Sequence, residues 1–94
     1  MRQPPEFFGD EELDLLYIGK KLKTSQQLEA ALDAAGVDYA IEVDYYLGGL
    51  IFRSLRAGAF FYVRPADREH AAGALRAQGV EPQPRPEEEA GPKS

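Results

Sequence analysis

The side chains that could carry out acid–base or metal chemistry are few in this chain. His70 is the only histidine among the 94 residues, and there is no cysteine. Glu42 and Asp44 stand two residues apart, so on a strand both carboxylates would point to the same face, where paired acids can transfer protons. Such a pair on a sheet edge is more often a solvated face, and His70 has no partner at metal-ligand spacing. We therefore predict a non-enzymatic protein with no catalytic residue, no metal site and no cofactor.

Arginines are the other candidates for chemistry, because guanidinium groups bind phosphate or carboxylate in a fork. Arg53, Arg56 and Arg64 could converge on an anion if the segment 45–58 folds back as a hairpin, with Arg68 nearby. The alternative is that these arginines pair with acids across the sheet, as surface charges commonly do. The Gly48–Gly49 pair lacks the lysine and hydroxyl residue of a phosphate-binding loop, and a turn explains it better.

Composition narrows the class of protein. The chain carries a net charge of −5, but its acids are concentrated at the ends, and residues 15–81 hold eight acids and eight bases. A neutral body lacks the basic footprint of a dedicated nucleic-acid binder. The longest apolar stretch, 59–63, is too short to span a bilayer, and no secretory signal is present at the N-terminus. The prediction is one cytoplasmic domain at 13–81, between a flexible acidic arm at 1–12 and a solvated tail rich in proline and glutamate at 82–94.

Hydrophobic periodicity predicts the elements of that domain. Leu13–Ile18 is typical of a strand, and a helix opening at Thr24 with a capping box places one apolar stripe before Gly36, which suits a left-handed helix end. From Val37 to Tyr45 the period changes to two, which predicts a half-buried strand. Residues 50–52 then form the other arm of a hairpin, and 56–58 break the chain before a strand at 59–63.

The last part of the chain completes the order. Pro65 suits the first turn of a second helix, which Gly79 ends, and Val80 begins a short strand that stops at Pro82. The expected fold is α+β: a ferredoxin-like split βαβ (βαββαβ), with a four-stranded antiparallel sheet, both helices on one face, and a possible β-hairpin extension at 45–58.

Such a sheet leaves one face open, and side-chain alternation predicts which residues reach it. If Leu16 and Ile18 face the core, then Tyr17 points outward. If Phe61 and Val63 face the helices, then Phe60, Tyr62 and Arg64 point away from them. Tyr17, Phe60 and Tyr62 would form an aromatic patch of the kind that marks an interface.

The order of strands and helices, with some of their residues, resembles two protein families. The strand, the helix ending in Leu-Glu-Ala-Ala-Leu-Asp-Ala-Ala-Gly-Val, the acidic strand after it and the Phe60–Val63 strand with its Pro-Ala-Asp helix start resemble a family of prokaryotic signal-transducing proteins with a PII-like fold, over residues 13–80. The resemblance implies a PII-like α+β fold and little assigned chemistry. Segment 45–58 occupies the place of the PII nucleotide-linked loop but carries no nucleotide signature.

The second resemblance is to the RNA-recognition-motif family, which shares the element order. Leu16-Tyr17-Ile18-Gly19 and Arg56-Ala57-Gly58-Ala59-Phe60 look like parts of its two strand motifs. The resemblance implies that Tyr17 and Phe60 stack bases. Gly58 and Val63 depart from the pattern where the family carries aromatics.

Three functions follow as hypotheses. The first is a regulatory or assembly module that binds itself, as a dimer or trimer, or another protein through the open face and the hairpin. The second is single-stranded RNA binding by the same aromatics, and the third is an anion or nucleotide sensor at Arg53 and Arg56.

Overall fold

A computed structural model describes residues 1–48 and 54–83, with the side chains of 46–48 and 54–56 outside the description. Short 3-10 helices at Pro5–Phe8 and Pro65–Asp67 accompany the main elements. The main elements are β1 (Asp14–Gly19), α1 (Leu22–Ala34), β2 (Tyr39–Gly48), β3 (Ser54–Val63) and α2 (Arg68–Ala77).

The three strands form one antiparallel sheet in the order β1-β3-β2. This confirms the predicted α+β class with two helices. The predicted fourth strand is not a strand in the part of the chain described. After α2, the backbone reaches β1 through one hydrogen bond, from the Gln83 N–H to the Leu16 carbonyl at 2.8 Å. The Val80 N–H, which would begin the predicted strand, instead closes α2 on the Leu75 carbonyl at 3.0 Å.

The hairpin between β2 and β3 is longer and more regular than the sequence suggests. β3 runs without interruption through residues 56–58, where a break was expected, and the pairing extends from Tyr39↔Val63 to Gly48↔Ser54. The turn itself, including residues 50–52 that were expected to form the second arm, lies outside the described residues. Two strands of ten residues each therefore form the hairpin.

The core lies between the sheet and the two helices. Leu28 and Leu32 of the predicted α1 stripe are fully buried, and they pack with Leu16, Phe61 and Leu75. Each such side chain contributes about 1.5–3 kcal/mol through its burial. Tyr39 stacks on Phe61 with ring centroids 6.1 Å apart and donates its hydroxyl to the Asp33 carboxylate at 3.1 Å.

Helix α1 begins two residues before the expected Thr24. Its N-cap is Lys21, which offers no side-chain cap, and the Ser25 N–H bonds to the Lys21 carbonyl at 3.0 Å. β1 packs closely on the first turn of the helix: a Cβ at Gly19 would collide with Ser25 Oγ, so a larger residue there would require the Ser25 side chain to move. At the other end, Gly36 has φ +72° as predicted, and the Val37 N–H closes the helix on the Leu32 carbonyl.

Candidate binding surfaces on the sheet and hairpin

A β-bulge at Leu16 decides which face Tyr17 occupies. The register shifts between Leu15 and Tyr17, so that Leu15 pairs with Tyr62 while Tyr17 pairs with Phe61. Directly opposed residues share a face. Tyr17 therefore lies on the helix-covered side, where its ring contacts Phe61 edge to face with centroids 6.3 Å apart.

The predicted outward orientation of Tyr17 is therefore wrong, and so is the inward orientation of Ile18, which pairs with Phe60. One extra residue in a strand reverses the facing of every residue after it. The orientations predicted within β3 hold: Phe61 and Val63 are fully buried against the helices, and Phe60 and Tyr62 lie half-buried on the opposite face. The aromatic pair on that face is Phe60 and Tyr62, without Tyr17.

The N-terminal arm covers part of the face that was expected to be open. Phe8 is 3% exposed, and Ala40, which shares the face of Tyr62, is 2% exposed although it points away from the helices. A cavity of about 340 Å³ remains between the 3-10 helix and the sheet, lined in part by Phe8, Glu42 and Tyr62. Burial, reinforced by the Glu42 and Asp44 carboxylates, raises the pKa of Tyr62 above its ordinary value. The sequence predicts a flexible arm at 1–12, whereas the structure places this segment against the sheet.

Arg64 holds the arm in place. Its guanidinium donates Nε to Glu11 Oε1 at 2.8 Å and lies 5.0 Å from the Phe8 ring centroid. The hydrogen bond to Glu11 raises the pKa of Arg64 above its ordinary value. Arg64 is thus engaged within the chain, on the arm.

Of the other arginines considered for an anion site, the structure describes the side chain of Arg68 but not those of Arg53 and Arg56. Arg68 is buried, and its guanidinium donates to the carbonyls of Leu15 and Gln83, which ties the segment after α2 to β1. Arg56 lies in β3 with its side chain outside the description, and Arg53 lies outside the described residues. The predicted convergence of Arg53, Arg56 and Arg64 thus rests on no observed contact.

Two large apolar side chains of β2 are exposed toward the far end of the hairpin. Val43 is 74% exposed and Tyr45 66%, and both share the face of Phe61. Leu22, the first residue of α1, is also 74% exposed, and it lines the same groove as Val43. We call these three residues the hairpin patch. The groove that Leu22 and Val43 line has a volume of about 420 Å³, and its other lining residues include the apolar Ile41 and Ala59 and the basic Arg2, Lys20 and Lys21.

The relative lengths of the strands and helices explain why the hairpin patch is exposed. A ten-residue strand spans about 33 Å, whereas the thirteen residues of α1 span about 20 Å and the ten of α2 about 15 Å. The strands therefore extend past the helices that cover their other end. The alternation of Val43 and Tyr45 in the sequence predicts that they lie on the inner face, and only the helix lengths reveal that this face is uncovered there.

No group of three or more histidine, cysteine, aspartate or glutamate residues in the described ranges could hold a metal ion. His70 contacts the Ala35 carbonyl through Nε2 at 3.0 Å, on the surface. No helix in the described part of the chain is long and apolar enough to cross a membrane.

Comparison with known proteins identifies no relative from which a function could be inferred. No family model, no curated protein and no solved structure matches the chain. The resemblances to the PII-like and RNA-recognition-motif families therefore stay predictions from the sequence.

Proposed function

We propose that the chain is a non-enzymatic assembly module that associates with a second copy of itself through the hairpin patch of Leu22, Val43 and Tyr45. The observation that carries the proposal is the exposure of these three large apolar side chains at one end of the molecule. Exposed apolar patches of this kind mark interaction sites. A two-fold dimer buries such a patch twice, once from each chain, so three residues supply six buried side chains.

A ferredoxin-like architecture is part of the same proposal. The strand order β1-β3-β2 and the bond from Gln83 to the outer edge of β1 support a fourth strand at that edge, next to β1. The opposite edge, along β2, then remains the exposed one.

The two other hypotheses have less support. RNA binding depends on Tyr17 and Phe60 as neighbouring stacking platforms, and these two rings lie on opposite faces of the sheet. The anion sensor depends on Arg53 and Arg56, whose side chains lie outside the description, and Arg64 of the same predicted site is engaged within the chain, so no observed contact supports it. We therefore propose neither.

The test is the solution mass by light scattering over a range of protein concentrations, for the wild-type chain and a Val43→Asp/Tyr45→Asp variant. We expect a wild-type dimer that the variant loses, because each carboxylate would have to be desolvated in the interface. Ala66→Asp, in the exposed 3-10 helix that follows β3, adds a charge at the end of the sheet opposite the hairpin patch and serves as the control.

Two outcomes would contradict the proposal. A wild-type chain that stays monomeric at every concentration has no self-association to explain. An oligomer that survives the double substitution has its interface elsewhere on the molecule. Circular dichroism and a complete thermal transition confirm that each variant is folded.

A further inference from the structure

The outer edge of β2 already accepts a strand at its beginning. Residues 1–3 run parallel to β2, with the Gln3 N–H bonded to the Tyr39 carbonyl at 2.8 Å and the Tyr39 N–H bonded to the Met1 carbonyl at 3.2 Å. Pro4 and Pro5 follow, and a residue without an N–H cannot continue the ladder. The chain therefore leaves the edge there and turns into its first 3-10 helix.

The edge beyond Tyr39 is open. Backbone groups alternate between the two sides of a strand, so the N–H and C=O of Ile41 and Val43 point outward like those of Tyr39. No backbone group of the described chain bonds to them from that side. Farther along, the Tyr45 N–H is occupied by the Asp44 carboxylate at 2.7 Å. A row of unpaired strand groups is a template for another extended chain.

The two faces beside this open edge differ in chemistry. Glu42 and Asp44 are exposed on the face turned away from the helices, and neither forms an ion pair within the described ranges. Val43 and Tyr45 are exposed on the other face. A strand added at this edge would therefore have acidic neighbours at alternate positions and apolar neighbours between them.

A second copy of the chain fits this edge poorly. If two β2 edges paired antiparallel about Val43, Glu42 of each chain would lie directly opposite Asp44 of the other. Like charges directly opposite each other destabilise a sheet. Self-association through the hairpin patch uses the apolar face and leaves the edge groups of Ile41 and Val43 unpaired.

We infer that the β2 edge from Ile41 to Tyr45 binds, by strand addition, an extended peptide segment of another protein whose side chains alternate between lysine or arginine and apolar residues. The backbone of the segment pairs with Ile41 and Val43. Its basic side chains lie beside Glu42 and Asp44, and its apolar side chains extend the strip of Val43 and Tyr45. This site goes beyond the proposed self-association and does not depend on it.

The test measures the binding of two short labelled peptides by fluorescence anisotropy. One has a Lys-Val-Lys-Val-Lys core, the other a Glu-Val-Glu-Val-Glu core, and both have blocked ends. We expect the lysine peptide to bind at least about tenfold more tightly, since charge pairs replace charge repulsions at two positions. Added salt should narrow the difference.

Two variants locate the site. Val43→Pro removes an outward N–H without removing a bond to β3, and we expect it to weaken binding of the lysine peptide about tenfold or more relative to Val43→Ala. Glu42→Gln/Asp44→Asn keeps the shapes of both side chains and should abolish the preference for lysine over glutamate. Amide exchange of Ile41 and Val43 should slow when the lysine peptide binds.

Equal binding of the two peptides, or unchanged exchange at Ile41 and Val43 in the presence of a bound lysine peptide, would overturn the inference. If Val43→Pro fails to fold, the charge variant and the exchange measurement on the wild-type chain still decide it. Light scattering on the same samples reports self-association separately, so a monomeric chain that binds the lysine peptide would refute the dimer and support the edge site.

Discussion

The two ends of the β2–β3 hairpin have opposite surroundings although they belong to the same two strands. At one end, Tyr39 and Val63 pair beneath the helices and are fully buried. At the other end, Val43 and Tyr45 lie on the same face and are mostly exposed. The strand sequence alternates in the same way at both ends. The difference comes from what covers the face, which shows that an alternating pattern predicts a potential core face and not its burial.

The comparison predicts that substitutions at the two ends of the hairpin change the free energy of unfolding by very different amounts. Phe61→Ala should lower the free energy of unfolding by about 3–5 kcal/mol, because it leaves a cavity in the core. Tyr45→Ala, at an exposed site, should change it by no more than about 0.5 kcal/mol in the monomer. Urea denaturation at low protein concentration measures both. Equal losses in the two variants would mean that the hairpin end is covered in the monomer.

The arm extends the covered region to the other face of the sheet. Phe8→Ala should release the arm from the sheet. We expect the free energy of unfolding to fall by about 2–3 kcal/mol, mainly through local opening of residues 1–12. Limited proteolysis should then cut this segment faster, whereas Phe7→Ala, at a side chain that is 46% exposed, serves as a control with a smaller effect. Equal cleavage rates in the wild-type chain and Phe8→Ala would show that Phe8 does not hold the arm.

The covered end should also be sensitive to alkali. Burial, together with the hydrogen bond to Asp33, raises the pKa of Tyr39 well above its ordinary value of about 10. The unfolded chain therefore loses this proton at a lower pH than the folded chain. The contribution of the neutral Tyr39 hydroxyl to the free energy of unfolding is therefore fully present below about pH 10. It decreases as the pH rises further, because the unfolded chain ionises first. Tyr39→Phe should cost about 0.5–1.5 kcal/mol near neutral pH and flatten the alkaline decline. Unfolding curves from pH 8 to 11 test this, and an equally steep decline in the variant would contradict it.

The smallest effect is expected at the surface ion pair of the arm. Glu11→Gln removes the nearer of the two carboxylate partners of Arg64, since Asp38 also lies within 3.7 Å of its guanidinium. We expect a loss of stability below that of Phe8→Ala and a weaker dependence on salt than in the wild-type chain. Thermal unfolding at low and high salt measures it. A loss as large as that of Phe8→Ala would mean that the ion pair, and not Phe8, holds the arm.

Much of the fold could be predicted from local patterns. The spacing of Leu28 and Leu32, the glycine at the end of α1 and the alternation within β3 depend on neighbouring residues, and the structure confirms each. The orientation of Tyr17 could not be predicted, because a β-bulge inserts one residue without a distinctive sequence signal. The strand predicted from Val80 is not seen in the described residues for a different reason, since the Val80 N–H closes α2 on the Leu75 carbonyl.

Less of the candidate binding surface could be predicted from the sequence. Phe60 and Tyr62 were assigned to the correct face, but the sequence gives no sign that Phe8 of the arm lies over that face. Exposure of Val43 depends on the relative lengths of strands and helices, which is a property of the assembled fold. Long-range contacts therefore decide both which face is covered and which is free.

The most direct test of the central claim is amide exchange by mass spectrometry at a low and a high concentration of the wild-type chain. The claim is that the hairpin end is the association surface and the covered end its scaffold. It predicts slower exchange at high concentration in peptides covering 41–48 and the first turn of α1, with no change in α2. Concentration-dependent protection confined to α2 or to the arm, or none at any concentration, would contradict the claim.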